Sequence, residues 1–239
     1  MSFIKGIIYN LKGLAMGLTT PSLLFLGMLR FVVVVALTIV CSGLILMWHQ
    51  DILNLLWHMP ESKLMLFFWN IVSWLLSLLL AAVAGLLSYF VAQILFCVFI
   101  MDYMSRITEQ KVTGRVDGAL SASFIGLFLH LIAQEIPRTI VPVIFMLIVM
   151  LAGLLTPLGP VITVLSSLVA GIFLAWDNTD LVPARRMESF GKRFTYLKKN
   201  LMFHMGFGIC FLVPWVNIVL LSFAPVGATL YYIEKDDNS

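Results

Sequence analysis

Apolar positions form long blocks along this chain, and polar residues are confined to the joints between them. The longest block runs from Leu64 to Met101, with no charged residue between Lys63 and Asp102. At about 1.5 Å per residue, such a helix is roughly 57 Å long, against roughly 30 Å of bilayer hydrocarbon. The pattern predicts a helix that crosses a membrane near Leu64–Leu86 and continues past it near Leu87–Arg106. Upstream, Ile4, Ile7, Ile8, Leu11, Leu14, Ala15 and Leu18 recur at three-to-four spacing, with Lys5, Tyr9, Asn10 and Lys12 off the stripe. That is an amphipathic helix, lying either in the membrane interface or on a partner protein. Gly13 and Gly17 give it a spacing that allows close helix contact. Thr20-Pro21 then starts a second long apolar helix, with Thr20 as N-cap and Pro21 at the first helical position. It runs to about Trp48. Arg30 is its only charge, placed near the entry side, where a long side chain can snorkel to headgroups.

Shorter blocks follow. Ala119–Glu135 is apolar but interrupted, and is expected along the interface or against the protein. Pro137 is expected to end it. Thr139–Pro157 and Pro160–Trp176 are joined so tightly that they must form a helical hairpin. Each arm, at about 17–19 residues, sits at the lower limit for spanning. Leu201–Phe223, broken by Gly206, Gly208 and Pro214, leads with Pro225 into a second broken pair over 201–233. Irregular backbone at such depth is tolerated only where protein or water lines it. The expected fold is an all-α integral membrane protein forming a single domain over 1–239. It has two long transmembrane helices, partly penetrating (re-entrant) hairpins and an N-terminal amphipathic helix.

Composition agrees with the pattern. Hydrophobic residues make up 61% of the chain and charged residues 11%, with a mean hydropathy of +1.03. So little polar surface cannot clothe a globule in water. Met1–Leu18 lacks the charged start, apolar middle and cleavage site of a signal peptide. Between the two long spans the connection holds a single basic residue, Lys63. The other Lys and Arg residues fall on the opposite side if both hairpins return to it. The positive-inside rule then places both termini in the cytoplasm.

Candidate chemistry is sparse. Cys41, Cys97 and Cys210 lie in apolar runs without paired spacing, as small buried hydrophobes do. His49 and His58 lack supporting ligands and fit an exposed loop better than a metal site. No nucleophile elbow, zinc-binding helix, phosphate loop or dinucleotide fingerprint is present. No enzyme, cofactor, metal or nucleic-acid function is expected. Arg185-Arg186 is suited to anion or headgroup capture, or simply to cytoplasmic topology. Asp102 and Glu135 can couple protons if buried, or cap and salt-bridge helix ends.

Three stretches carry a resemblance. They are Gly13 to Phe31, Met101-Asp102-Tyr103-Met104 through Gly114, and a long C-terminal set. That set begins at Ala184-Arg185-Arg186-Met187-Glu188-Ser189-Phe190. It continues through Gly206-Phe207-Gly208, Pro214, Asn217, Pro225, Gly227-Ala228-Thr229 and Tyr231. The chain resembles the CysZ sulfate permease family, which shares a domain with the etoposide-induced membrane proteins. The resemblance implies oligomers with two long spans and partly penetrating hairpins. It also implies uptake of sulfate at the bacterial inner membrane for cysteine synthesis, without a cofactor. The family's Gly-Leu-Arg-Arg-like sulfate motif falls either on Ser22-Leu23-Leu24-Phe25, with neither arginine, or on Gly27-Met28-Leu29-Arg30, with one. Free amides at Ser22, Leu23 and Leu24 and the Ser22 hydroxyl are donors that sulfate would need; the Arg30 guanidinium, about three turns beyond Thr20-Pro21, would share that site only through a bend or from a neighbouring subunit. Because the arginine pair is incomplete, a structural or regulatory membrane protein, or a transporter of another solute, stands as the alternative.

Overall fold

The computed structural model describes residues 2–56, 60, 62–116, 124–157, 159–213 and 216–236, and among these it contains helices and no strand. The helices are α1 (Ser2–Thr19), α2 (Pro21–Met47), α3 (His49–Leu56), α4 (Lys63–Ala92), α5 (Val98–Thr113) and α6 (Phe124–Leu155). They continue as α7 (Gly159–Thr179), α8 (Leu181–Arg185), α9 (Phe190–Lys199), α10 (Leu201–Ile209) and α11 (Val216–Asp236). A π-helical turn, Gln93–Cys97, joins α4 to α5 without a break. Five helical stretches among the described residues are long and apolar enough to cross a membrane. They are Pro21–Met47, Lys63–Thr113, Ile136–Gly153, Gly159–Thr179 and Val216–Lys235. The protein is an all-α, multi-pass membrane protein.

The continuous Lys63–Thr113 helix has 51 residues, roughly 77 Å at the α-helical rise. Its irregularity falls at polar Gln93, where the wider π turn accommodates one extra residue. Contacts group the chain into two units, one formed by Met1–Arg30 with Cys97–Ser239, the other by Phe31–Phe96. In the second unit, α3 turns back onto α4, with Leu53 buried.

The first unit holds the core. Tyr9, Ala175, Phe203, Phe207, Phe211, Leu220, Ala224 and Ala228 bring α1, α7, α10 and α11 together. Glycine makes the approach possible. A side chain at Gly6 or Gly206 would run into the backbone where α1 meets α10, and one at Gly13 or Gly227 would do so where α1 meets α11. A Cβ on Gly171 would lie 3.0 Å from the Gly208 carbonyl oxygen, where α7 meets α10. Without water to drive association, helices in lipid gain from such close backbone packing.

Two expectations are corrected. Pro137 is not a boundary: α6 runs through both Pro137 and Pro142. Ending the helix in apolar surroundings would strand more backbone groups than the two prolines do. Consequently the segment expected over Ala119–Glu135 is, from Phe124 onward, the first part of α6 and not a separate element. Residues 119–123 lie outside the described residues, as do His58, Leu158 and Pro214. The hairpin joint between Leu155 and Gly159 is as tight as its sequence demands.

Candidate functional site

Leu23, Gly27 and Arg30 are the buried residues of α2. Their spacing of four and three puts them on one helix face. Leu23 is fully buried and packs with Met104, Phe223 and Val226. Gly27 faces the Phe223 ring, and a Cβ there would fall 2.6 Å from ring atom Cε1. Arg30 is 8% exposed, and its Nη1 donates to the Leu221 carbonyl at 2.7 Å. Leu221 lies four residues before Pro225, which sits inside α11. A proline has no N–H, so it cannot donate to the carbonyl one turn earlier. Arg30 supplies a donor in its place. The expected snorkelling of Arg30 to headgroups is therefore replaced by an inward contact with the backbone of α11.

The expected donors at the start of α2 are only partly brought together. The Leu24 amide donates to the Thr20 carbonyl at 2.9 Å and the Thr20 amide to the Met16 carbonyl at 3.1 Å. The path from α1 into α2 is thus nearly one helix, and the Leu24 donor is committed. Ser22 is exposed, on a different face from Leu23, Gly27 and Arg30. A cation that sequence spacing did not single out lies nearby: Lys111 Nζ donates to the Thr20 hydroxyl at 3.4 Å, across 91 positions of sequence.

Arg185 and Arg186 occupy different surroundings. Arg185 is 1% exposed. Its Nη1 lies 3.2 Å from Asp102 Oδ1 and donates to Ser105 Oγ at 3.1 Å, and its Nη2 pairs with Glu109. Arg106 Nε holds the other Asp102 oxygen at 2.6 Å, and Arg186 Nη2 lies 3.6 Å from Glu109 Oε1. Thr229 of α11 donates to Ser105 Oγ at 2.9 Å. Local structure places the arginines: α8 ends with the Met187 amide on the Ala184 carbonyl and the Glu188 amide on the Pro183 carbonyl, both at 3.1 Å. That paired closure requires a left-handed residue, and Met187 takes it at φ 61°. Asp102, a candidate for proton coupling, is a counter-ion shared by two arginines. The side chain of Glu135 lies outside the described residues.

A second charged group ties α6 to the α7–α9 region. Arg138 Nε lies 2.9 Å from Asp177 Oδ1, and Arg193 Nη1 lies 2.5 Å from Asp180 Oδ2. His204 is fully buried beneath it, with Nδ1 2.8 Å from the Asn200 carbonyl and Nε2 2.9 Å from the Thr179 hydroxyl. In the neutral ring, Nδ1–H donates to the carbonyl and Nε2 accepts from the hydroxyl. Burial pushes the Tyr196 phenol of α9 up, so it stays protonated across the physiological range.

The buried arginines are Arg30, Arg138, Arg185 and Arg193. Three face carboxylates; among the described residues, Arg30 faces a neutral carbonyl and no acid. A buried guanidinium without a counter-ion attracts an anion, and an oxyanion matches its fork of donors. No group of three or more His, Cys, Asp or Glu residues among the described residues is placed to hold a metal ion. A family model described as "Sulfate transporter CysZ/Etoposide-induced protein 2.4" matches residues 9–225. No individual curated protein matches the chain significantly.

Proposed function

Since the chain belongs to the family of sulfate transporter CysZ and etoposide-induced protein 2.4, we propose that it moves sulfate or a related oxyanion across a membrane. The observation that carries this reading is Arg30: a buried cation that faces a carbonyl and no carboxylate among the described residues. Gly27-Met28-Leu29-Arg30 is then the alignment of the sulfate motif that matters, because Gly27 and Arg30 share one face of α2. Gly27 makes room on that face for the Phe223 ring, and Arg30 offers the charge. Ser22 and the Leu23 amide sit about two turns earlier on α2, Lys111 of α5 reaches Thr20 just before that helix, and these groups would meet the anion on its way in. The bacterial inner membrane, supply of sulfate for cysteine synthesis, cytoplasmic termini, partly penetrating hairpins and assembly into homo-oligomers surrounded by lipid all belong to this same proposal.

A second reading has its own support. Arg185 and Arg186 face Asp102 and Glu109, so this arginine pair is already neutralised. A protein in which Arg30 served only to satisfy the Leu221 carbonyl would be a structural or regulatory family member. Equilibrium dialysis of purified protein against labelled sulfate separates the two. The transport reading expects saturable binding, weakened at least tenfold in Arg30→Gln and partly kept in Arg30→Lys. Absence of binding at millimolar sulfate supports the second reading.

A further inference from the structure

Three contacts converge on one turn of α11. Arg30 donates to the Leu221 carbonyl. Phe223, two residues on, lies with its ring against Gly17 of α1 and Gly27 of α2, where any added Cβ would strike it. Pro225, two residues further, interrupts the hydrogen-bond ladder of α11 at the carbonyl that Arg30 holds. Below this turn, Val226, Ala228 and Thr229 are buried, and Thr229 donates to Ser105 beside Arg185. The lower part of α11 is fixed; the part above Pro225 packs into the core through Leu220 and Phe223, and Arg30 bridges the gap in its hydrogen-bond ladder.

From this arrangement we infer that Arg30 is the latch of a hinge at Pro225, released by the oxyanion that Arg30 binds. The inference rests on the oxyanion reading above and adds a conformational consequence to it. A helix with an internal proline bends more readily than one with a full ladder, because one restraining bond and one steric fit are missing. Arg30 replaces the missing bond from outside the helix. An oxyanion competes for the same guanidinium. A charge-assisted, two-pronged contact is stronger than a single contact to a neutral carbonyl, so the bound anion takes the guanidinium and leaves Leu221 without its partner. An unpaired carbonyl in apolar surroundings is costly. Bending at Pro225 relieves that cost by turning the carbonyl toward water or another donor. The same bend carries Phe223 out of the notch made by Gly17 and Gly27. The two glycines are the complement of the ring: they leave room for Phe223 to sit and no side chain to block its withdrawal. Ligand energy is thus converted into movement only because the ligand binds the two positions of Arg30 unequally.

The experiment uses the full chain in lipid nanodiscs with 4-fluorophenylalanine at position 223. Sodium sulfate is titrated while the fluorine resonance and the heat of binding are followed, with sodium gluconate as the ionic-strength control. The latch predicts a second fluorine resonance that grows with sulfate and saturates at the calorimetric midpoint. Pro225→Ala restores the N–H, so Leu221 no longer needs Arg30. That variant is expected to bind sulfate about two- to tenfold more tightly while its fluorine resonance stays single. Sulfate binding that leaves the wild-type resonance unmoved overturns the latch and leaves the oxyanion reading intact. No heat of binding in either protein overturns the oxyanion reading, and the latch with it. A resonance that moves equally with gluconate also overturns the latch.

Discussion

Arg30 and Arg185 are both buried arginines of the first unit, yet their partners assign them different work. Arg185 has Asp102 and Glu109 around it, and Arg106 and Arg186 share those two carboxylates. The group joins α5, α8 and, through Thr229, α11. Its charges are mutually satisfied, as those of a structural clamp are. Arg30 has a single neutral acceptor. Its positive charge faces no acid among the described residues, which is the ground for the proposed anion site. Burial alone therefore does not mark a functional arginine; the presence or absence of an acid opposite it does.

The comparison breaks most visibly at Arg185. Arg185→Ala takes the fully buried partner away from Asp102 and Glu109 and leaves them only Arg106 and Arg186 at the edge of the group, which costs about 3–5 kcal/mol. Unfolding in detergent should show a collapse in melting temperature, or no folded protein. A wild-type melting curve would mean that the clamp is not structural. The fivefold variant Arg185→Met, Arg106→Met, Arg186→Met, Asp102→Leu, Glu109→Leu removes the charges together and should melt within about 1–2 kcal/mol of wild type, because the desolvation cost is removed with the pairing.

A smaller loss is expected at the close helix contacts. Gly13→Val places a side chain against the Gly227 backbone and should destabilise the fold by about 1–3 kcal/mol, as overpacking does. Gly43 and Gly85 serve as controls, since a Cβ on either meets nothing within 4 Å in this chain. Their alanine variants should gain up to about 0.5–1 kcal/mol from helix propensity. Equal losses at all three positions would show that close packing is not what distinguishes Gly13.

Met187 gives the smallest effect and sharpens the account of the clamp. Its left-handed backbone costs a side-chain-bearing residue about 1 kcal/mol. Met187→Gly should therefore raise stability by about that amount and leave sulfate affinity unchanged. A fall in stability would mean that the Met187 side chain, which is 56% exposed, makes a contact that outweighs the strain.

Much of the fold is legible in the apolar pattern, because in lipid the backbone has few alternatives to helix. The amphipathic α1, the break at Thr20-Pro21, the overlong Lys63–Thr113 helix and the joint before Gly159 all follow from spacing and turn residues. Pro137 misleads for a physical reason: its effect on the preceding residue is local, whereas the drive to keep α6 helical extends along the whole apolar run. The site is less legible. Arg30 can be seen as a lone charge, but its partner Leu221 is 191 positions away, and nothing in the spacing pairs them. Lys111 and Thr20 are 91 positions apart, and Arg185 and Asp102 are 83 apart. Proximity of that kind is created by packing. One signal was available: Leu221 stands four residues before Pro225, so a freed carbonyl was implied and a donor had to be sought for it.

Labelled-sulfate uptake into proteoliposomes tests the contrast between the two arginines most directly. Wild-type protein and the charge-free fivefold variant at Asp102, Arg106, Glu109, Arg185 and Arg186 should both accumulate sulfate, with rates within about threefold of each other. Arg30→Gln, folded and incorporated equally well, should lose at least tenfold. Unchanged uptake by Arg30→Gln would contradict the account, whatever the fivefold variant does.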